Sequence, residues 1–195
     1  NRGTAPTNTQ YAAQTSTSKF GGLALDSGKA LMYPTSVMTG LTDFTINAWV
    51  SDADAAHDTG TNQKIFITKD GSGNNQVSLE RDDTVDNLVY KTVSNGGTSN
   101  SITYSTNPWT GTSNFHMITA TFRNNPETGE NCKVLYYNGS SVGTTAASTS
   151  APTLSNVNQV RVGGDGTSQG EWLGFIDDLI IVPYAATSDI VSAWY

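Results

Sequence analysis

Between positions 43 and 50 the chain reads DFTINAWV, with Phe44, Ile46, Ala48 and Val50 on one side of a two-residue alternation and Thr45, Asn47 and Trp49 on the other. That period marks a half-buried β-strand, because successive side chains on extended backbone point to opposite faces. Similar short stretches follow at hairpin spacing, at 63–69, 76–81, 88–93, 101–105, 115–123, 133–137, 159–162 and 175–182. Between them stand clusters such as Asp70-Gly71-Ser72-Gly73-Asn74-Asn75 and Tyr137-Asn138-Gly139-Ser140, which supply the positive φ angles that tight connections need. Roughly ten to twelve strands and almost no helical period predict an all-β, two-sheet antiparallel sandwich. The single helix expected is 187–195, where Thr187 or Ser188 would cap a turn carrying Ile190 and Trp194 four residues apart. Residues 1–19 are Thr, Ser, Asn and Gln with few apolar positions, an arm or linker ahead of a domain at 20–195. The small residues of 144–151 suit a flat edge strand or a long loop.

Composition narrows the partners. Thr 28, Ser 20, Gly 19 and Asn 17 make up 84 of 195 residues, whereas charged residues are 14%, so hydroxyls and amides must coat the surface. With 17 acidic against 10 basic residues, a net charge of −7 and only four arginines, the chain lacks the phosphate-neutralising stripe that nucleic acid requires. An anionic membrane surface would repel it, and no apolar run approaches the ~20 residues of a membrane span. Neither nucleic acid nor membrane insertion is expected. Cys132 is alone, which excludes an intrachain disulfide and a Cys-rich zinc site. Because the chain starts at Asn1 without an initiator Met, a trimmed or processed form is expected.

Several segments, in order, resemble the laminin-G-like (LamG) jelly-roll domain of the concanavalin A-like lectin/glucanase superfamily. Phe20-Gly21-Gly22-Leu23-Ala24-Leu25-Asp26 is similar to its opening strand, and Phe44-Thr45-Ile46-Asn47-Ala48-Trp49-Val50 to its most recognisable one. The stretch from Phe115 to Phe122, then Leu135-Tyr136-Tyr137-Asn138-Gly139, resembles a Trp-His-x-Val-Ala strand and its hairpin, with Phe115 in the Trp position. Gly174-Phe175-Ile176-Asp177-Asp178-Leu179 and the segment 190–195 resemble the closing strand and terminal helix. The resemblance covers about residues 20–195 and implies a two-sheet antiparallel jelly-roll sandwich, an architecture that hosts binding modules and enzymes alike.

Glucanases of this superfamily carry Glu-x-Asp-x-x-Glu on one strand, because retaining hydrolysis needs two carboxylates ~5 Å apart about the bond. Here Glu80-Arg81-Asp82-Asp83-Thr84-Val85 places Val85 where the third carboxylate belongs, and no Arg/His/Tyr set of a lyase is found. The expectation is that the protein is not an enzyme, with a glycanase or lyase acting through Glu80 and Asp82 as an alternative. Neither histidine has a nucleophile in a recognisable frame. His116 shares a strand face with Ile118, Ala120 and Phe122 and is read as a structural, hydrogen-bonded residue, and His57 as part of a solvated, Asp-rich loop.

A sugar asks for a flat aromatic face and for amide, carboxylate or backbone groups to meet its hydroxyls. Trp109 on its Pro/Gly loop, Trp49 and Asn47 on the polar side of their strand, and Tyr90 and Tyr104 on neighbouring strands are the candidates for a concave groove. For Trp49, packing is the favoured reading. The resemblance further implies a structural Ca²⁺ held by Asp177 with main-chain groups near Gly21 and Asp26, while Asp177 as a hydrogen-bonding cap near the chain end remains open. The Asn138-Gly139-Ser140 sequon is explained by a hairpin turn. Together these point to an extracellular, cell-surface or virion-surface recognition and adhesion module whose partner is a glycan or a glycosylated surface. A structural decoration or fibre protein, contacting neighbouring subunits through residues 1–19, is the alternative.

Overall fold

The computed structural model of the protein describes residues 23–25, 30–52, 61–106, 108–109, 114–124, 132–146, 151–166 and 170–195. Among them, in chain order, are β1 (Leu23–Leu25), β2 (Leu31–Tyr33), β3 (Phe44–Asp52), β4 (Gln63–Lys69), β5 (Val77–Arg81), β6 (Leu88–Val93) and β7 (Ser99–Tyr104). Then come β8 (His116–Arg123), β9 (Cys132–Tyr137), β10 (Ser140–Ala146), β11 (Gln159–Val162), β12 (Gly174–Val182) and α1 (Ser188–Trp194). Two six-stranded antiparallel sheets result, one ordered β1-β12-β3-β8-β9-β10 and the other β2-β11-β4-β5-β6-β7. Named after a strand of each, they are the β3 sheet and the β5 sheet.

The period-two pattern of β3 decides its orientation. Phe44, Ile46, Ala48 and Val50 are fully buried between the sheets, and Phe44 stacks on Phe122 of β8 with ring centroids 5.3 Å apart. The β5 sheet answers with Phe66, Leu79, Leu88 and Tyr90, so the apolar sides of both sheets close on one core. His116 turns to the same interior side and places Nδ1 2.7 Å from the Tyr137 hydroxyl, with burial lowering its pKa. It is the bonded structural histidine that its place in the pattern predicts.

Two strands lie outside the sequence expectations. β2 is three residues long and gains its place only by pairing with β11. β10 carries no apolar alternation; it exists because Asn138 and Gly139, with φ of 48° and 76°, turn the chain back onto β9. Residues 144–146 are therefore the end of an edge strand, the first of the two expected readings. At seven residues α1 is too short to stand by propensity, and Thr187 makes no side-chain capping bond. Tertiary burial of Val191 seats it instead.

The interior also holds a cation. Lys133 on β9 is fully buried and reaches across to the β5 sheet, donating to Asn100 O at 2.8 Å, Thr92 Oγ1 at 3.2 Å and Tyr90 O at 3.5 Å. Its ammonium lies 4.8 Å from the Tyr90 ring centroid. All these partners are neutral, and desolvation brings the Lys133 pKa down to about 7.

Candidate functional site

Asn47 and Trp49 do point away from the core, as the alternation requires, but that side of the β3 sheet is roofed by the C-terminal segment. Trp49 stacks on Tyr195 at 5.8 Å and, with Trp194 and Val134, flanks a second cluster made of Met117, Tyr136, Ala186 and Val191. Asn47 is 2% exposed, and its Oδ1 accepts the Thr119 hydroxyl at 2.6 Å. Thr45 Oγ1 donates to Tyr184 O at 2.7 Å and accepts from Ala186 N at 2.8 Å, which stitches the roof down. Residues expected to meet a ligand here are occupied by the protein itself.

The other aromatic expectations are corrected likewise. Trp109, expected exposed on its loop, is 2% exposed and packs edge-on against the fully buried Trp172 at 4.9 Å. An indole removed from water on all sides cannot offer its face to a sugar. Tyr90 is fully buried between the sheets, and the same environment raises its pKa well above the ordinary value. Tyr104 also turns inward, against the core, with its ring 5.2 Å from Tyr137. The five residues thus divide between the interior and the roofed face and form no common groove.

The outer side of the β5 sheet is different. Val77 and Leu79 face the core, so Ser78 and Glu80 between them face out, and the ladder carries that parity to neighbouring strands. Ser78 lies opposite Ile67 on β4 and Lys91 on β6, and Ile67 lies opposite Arg161 on β11. Glu80 lies between Lys64 and Val89. The centre of this face, Ile67, Ser78 and Val89, is buried, whereas Lys69, Lys91, Gln76, Gln159 and Arg161 around it are half-buried and Ser99, Ser101 and Thr103 are exposed. The amides, ammonium groups, guanidinium and exposed hydroxyls around that buried centre can hydrogen-bond hydroxylated ligands. Its signal in the sequence is the strand alternation, which puts Lys64, Lys69, Lys91 and Arg161 at outward positions.

Glu80 belongs to this face. Its Oε1 accepts from Asn62 Nδ2 at 3.2 Å, and its Oε2 from Ser78 Oγ at 3.3 Å and from Lys64, with which it forms a salt bridge. Asp82 lies beyond the strand, where its Oδ1 accepts Thr84 N at 2.9 Å and Val85 N at 3.2 Å. One carboxylate is held in an ion pair and the other in a turn.

Asp177 sits at a bulge of β12, beside Asp178 with φ of 46°, and lines a cavity of about 250 Å³ with Leu31, Tyr33 and Val162. Its Oδ1 accepts Asp178 N at 2.9 Å, but Oδ2 is buried without a hydrogen-bond partner, and desolvation raises its pKa. A desolvated carboxylate with one unused oxygen fits a cation ligand. Asp177 would then hold Ca²⁺, whose role would be to tie neighbouring strands through oxygen ligands. No group of three potential metal ligands occurs among the described residues. Gly21, Asp26, His57 and the arm 1–19 lie outside them.

Two antiparallel sheets packed face to face with a short terminal helix define a jelly-roll sandwich. Residues 25–192 match the laminin-G-type family described as the concanavalin A-like lectin/glucanases superfamily, and the chain belongs to it. No curated protein sequence matches the chain. Among solved structures it is similar to NanB sialidase from Streptococcus pneumoniae, at TM-score 0.69 and 14% identity, covering 88% of this chain and 27% of that one. It thus spans about a quarter of the sialidase. The Ruminococcus gnavus IT-sialidase CBM40 bound to α2,3-sialyllactose is similar at TM-score 0.66 and 16% identity, covering 89% and 95%. Domain 4 of AbnA, an extracellular arabinanase from Geobacillus stearothermophilus, in complex with arabinotriose, is similar at TM-score 0.64 and 18% identity, covering 88% and 75%.

Proposed function

We propose that the protein is a non-catalytic, extracellular recognition module that binds carbohydrate through the outer face of the β5 sheet. The observation that carries this reading is the contrast between the two outer faces: one is roofed by the chain's own terminus, while the other carries half-buried Lys69, Lys91, Arg161, Gln76 and Gln159 and exposed Ser99, Ser101 and Thr103. The solved structures similar to it in fold include a sialidase CBM40 with sialyllactose and an arabinanase domain with arabinotriose, which lends support to a sugar as the ligand class. Affinity-gel electrophoresis on a panel of polysaccharides tests the reading. Retention by at least one is expected, with amide chemical-shift changes at Ile67, Ser78 and Val89 rather than in α1; no retention at all sinks it.

Calcium is the second part of the proposal. The unused Asp177 Oδ2 supports an ion at the β12 bulge, whose binding to the folded state alone would raise the melting temperature. Millimolar Ca²⁺ is expected to raise it in the native chain and not in Asp177→Asn. An identical response in both would remove Asp177 as a ligand.

A further inference from the structure

The chain is acidic overall, yet its basic side chains are not spread evenly. Of the seven among the described residues, Arg81 and Lys133 are buried in the interior and Arg123 ends β8. The other four, Lys64, Lys69, Lys91 and Arg161, all occupy outward positions of the β5 sheet, where Glu80 is the one carboxylate on a strand. Lys64 is neutralised by Glu80. Lys69, Lys91 and Arg161 have no carboxylate partner among the described residues. The neighbouring acids are engaged elsewhere: Asp70 accepts Ser72 N and Asn74 N at 2.8 Å each, Asp82 holds its own turn, and Asp86 pairs with Arg81.

Their placement is regular. Lys91, Ser78, Ile67 and Arg161 follow one another along a single ladder row. Three strand spacings therefore separate Lys91 from Arg161, about 14 Å, and Lys69 stands two residues from Ile67, about 7 Å along β4. Arg161 is also held in place. Its Nε donates to Gln159 Oε1 at 2.8 Å, and its guanidinium lies against Gly166, where a Cβ would come within 2.5 Å of Cζ and 2.8 Å of Nη2. Gly166, at φ +87°, leaves that space open.

We infer that this face selects an anionic glycan, whose carboxylate or sulfate groups meet the half-buried Arg161 and Lys91 at the two ends of the row. The inference rests on the glycan reading above and adds the ligand's charge. Three separated cations suit widely spaced charges on a short oligosaccharide.

Isothermal titration of the full chain with matched ligands tests it: polygalacturonate against its methyl-esterified form for carboxylate, and heparin against desulfated heparin for sulfate. The charged member of at least one pair is expected to bind about tenfold tighter than its neutral counterpart, as a few exposed charge-assisted bonds would give. The preference should collapse between about 0.1 M and about 1 M salt, where the screening length falls from about 10 Å to about 3 Å. Lys91→Gln with Arg161→Gln should erase it, bringing the charged member down to the affinity of its neutral counterpart, without lowering the melting temperature. If that pair of changes perturbs folding, Lys69→Gln with Lys91→Gln serves in its place and should weaken the preference. Equal binding of charged and neutral members, or a preference untouched by these variants, overturns the inference while leaving a glycan-binding module. Absence of binding to any polysaccharide overturns both.

Discussion

On the outer side of the β3 sheet, Trp49, Met117 and Tyr136 lie beneath α1 and the C-terminal residues, and even the polar side chains are consumed internally, Asn47 by Thr119 and Thr45 by the backbone of 184–186. On the outer side of the β5 sheet the same alternation places Ser78, Lys91 and Arg161 outward, and Lys91 and Arg161 there stay half-buried. Both faces obey one rule of strand geometry, yet one has become a second core and the other a candidate recognition surface. Pointing away from the sandwich is therefore not the same as being available. What roofs the first is the C-terminal segment, whose Ala186, Val191, Trp194 and Tyr195 pack on its side chains.

That contrast can be broken or sharpened by substitution. The largest effect is expected at Trp109, assigned to packing: Trp109→Ala should destabilise the fold by about 4 kcal/mol in urea unfolding, as loss of a large buried aromatic does. A variant of full stability that no longer bound sugar would restore Trp109 to the ligand side. On the roofed face, Met117→Ala should cost about 3 kcal/mol, since the side chain is wholly buried, and should leave polysaccharide retention of the folded protein unchanged.

A smaller, pH-dependent effect distinguishes lysines on the two sides of β6. Lys91 stands outside, whereas Lys133 reaches the inner side at Tyr90 and Thr92. Burial holds the Lys133 pKa at about 7 against 10.5 in its ordinary state. Between those values the unfolded chain carries a proton there that the folded chain has released, so raising the pH through this window stabilises the fold, by at most about 1.4 kcal/mol per pH unit. Below about pH 7 both states are protonated and this contribution is flat. Urea unfolding at a series of pH values should show the rise in the native chain and lose it in Lys133→Met. Smallest of all, Lys91→Gln should move stability by no more than about 0.5 kcal/mol, a change confined to the surface. A large loss there would mean that the β5-sheet face is structural after all.

Much of the sandwich could be read from the chain because period two is a local property of extended backbone. The spans 63–69, 88–93 and 159–162 coincide with β4, β6 and β11, and the others differ from the observed strands by at most two residues at an end. β2 leaves no mark in the sequence because three residues offer too little alternation, and β10 none because Ser, Thr and Gly carry no apolar signal; both owe their existence to the strand beside them. The candidate site fared worse. A tryptophan between Pro108 and Gly111 reads as exposed, and only the packing of Trp172 against it makes it core. Conversely, Lys91 and Arg161 lie seventy residues apart in the chain and become members of one row only when β11 docks beside β4.

By itself, then, the sequence determined the sandwich architecture, the side of each main strand that faces the core, and the superfamily, because alternation and turn chemistry are set by residues adjacent in the chain. Tertiary structure alone decided which outward face the C-terminal segment covers, which aromatics are buried, and which charges become neighbours. Those depend on strand order and on where the terminus packs, and such contacts are made between positions far apart in the chain, where no local pattern records them.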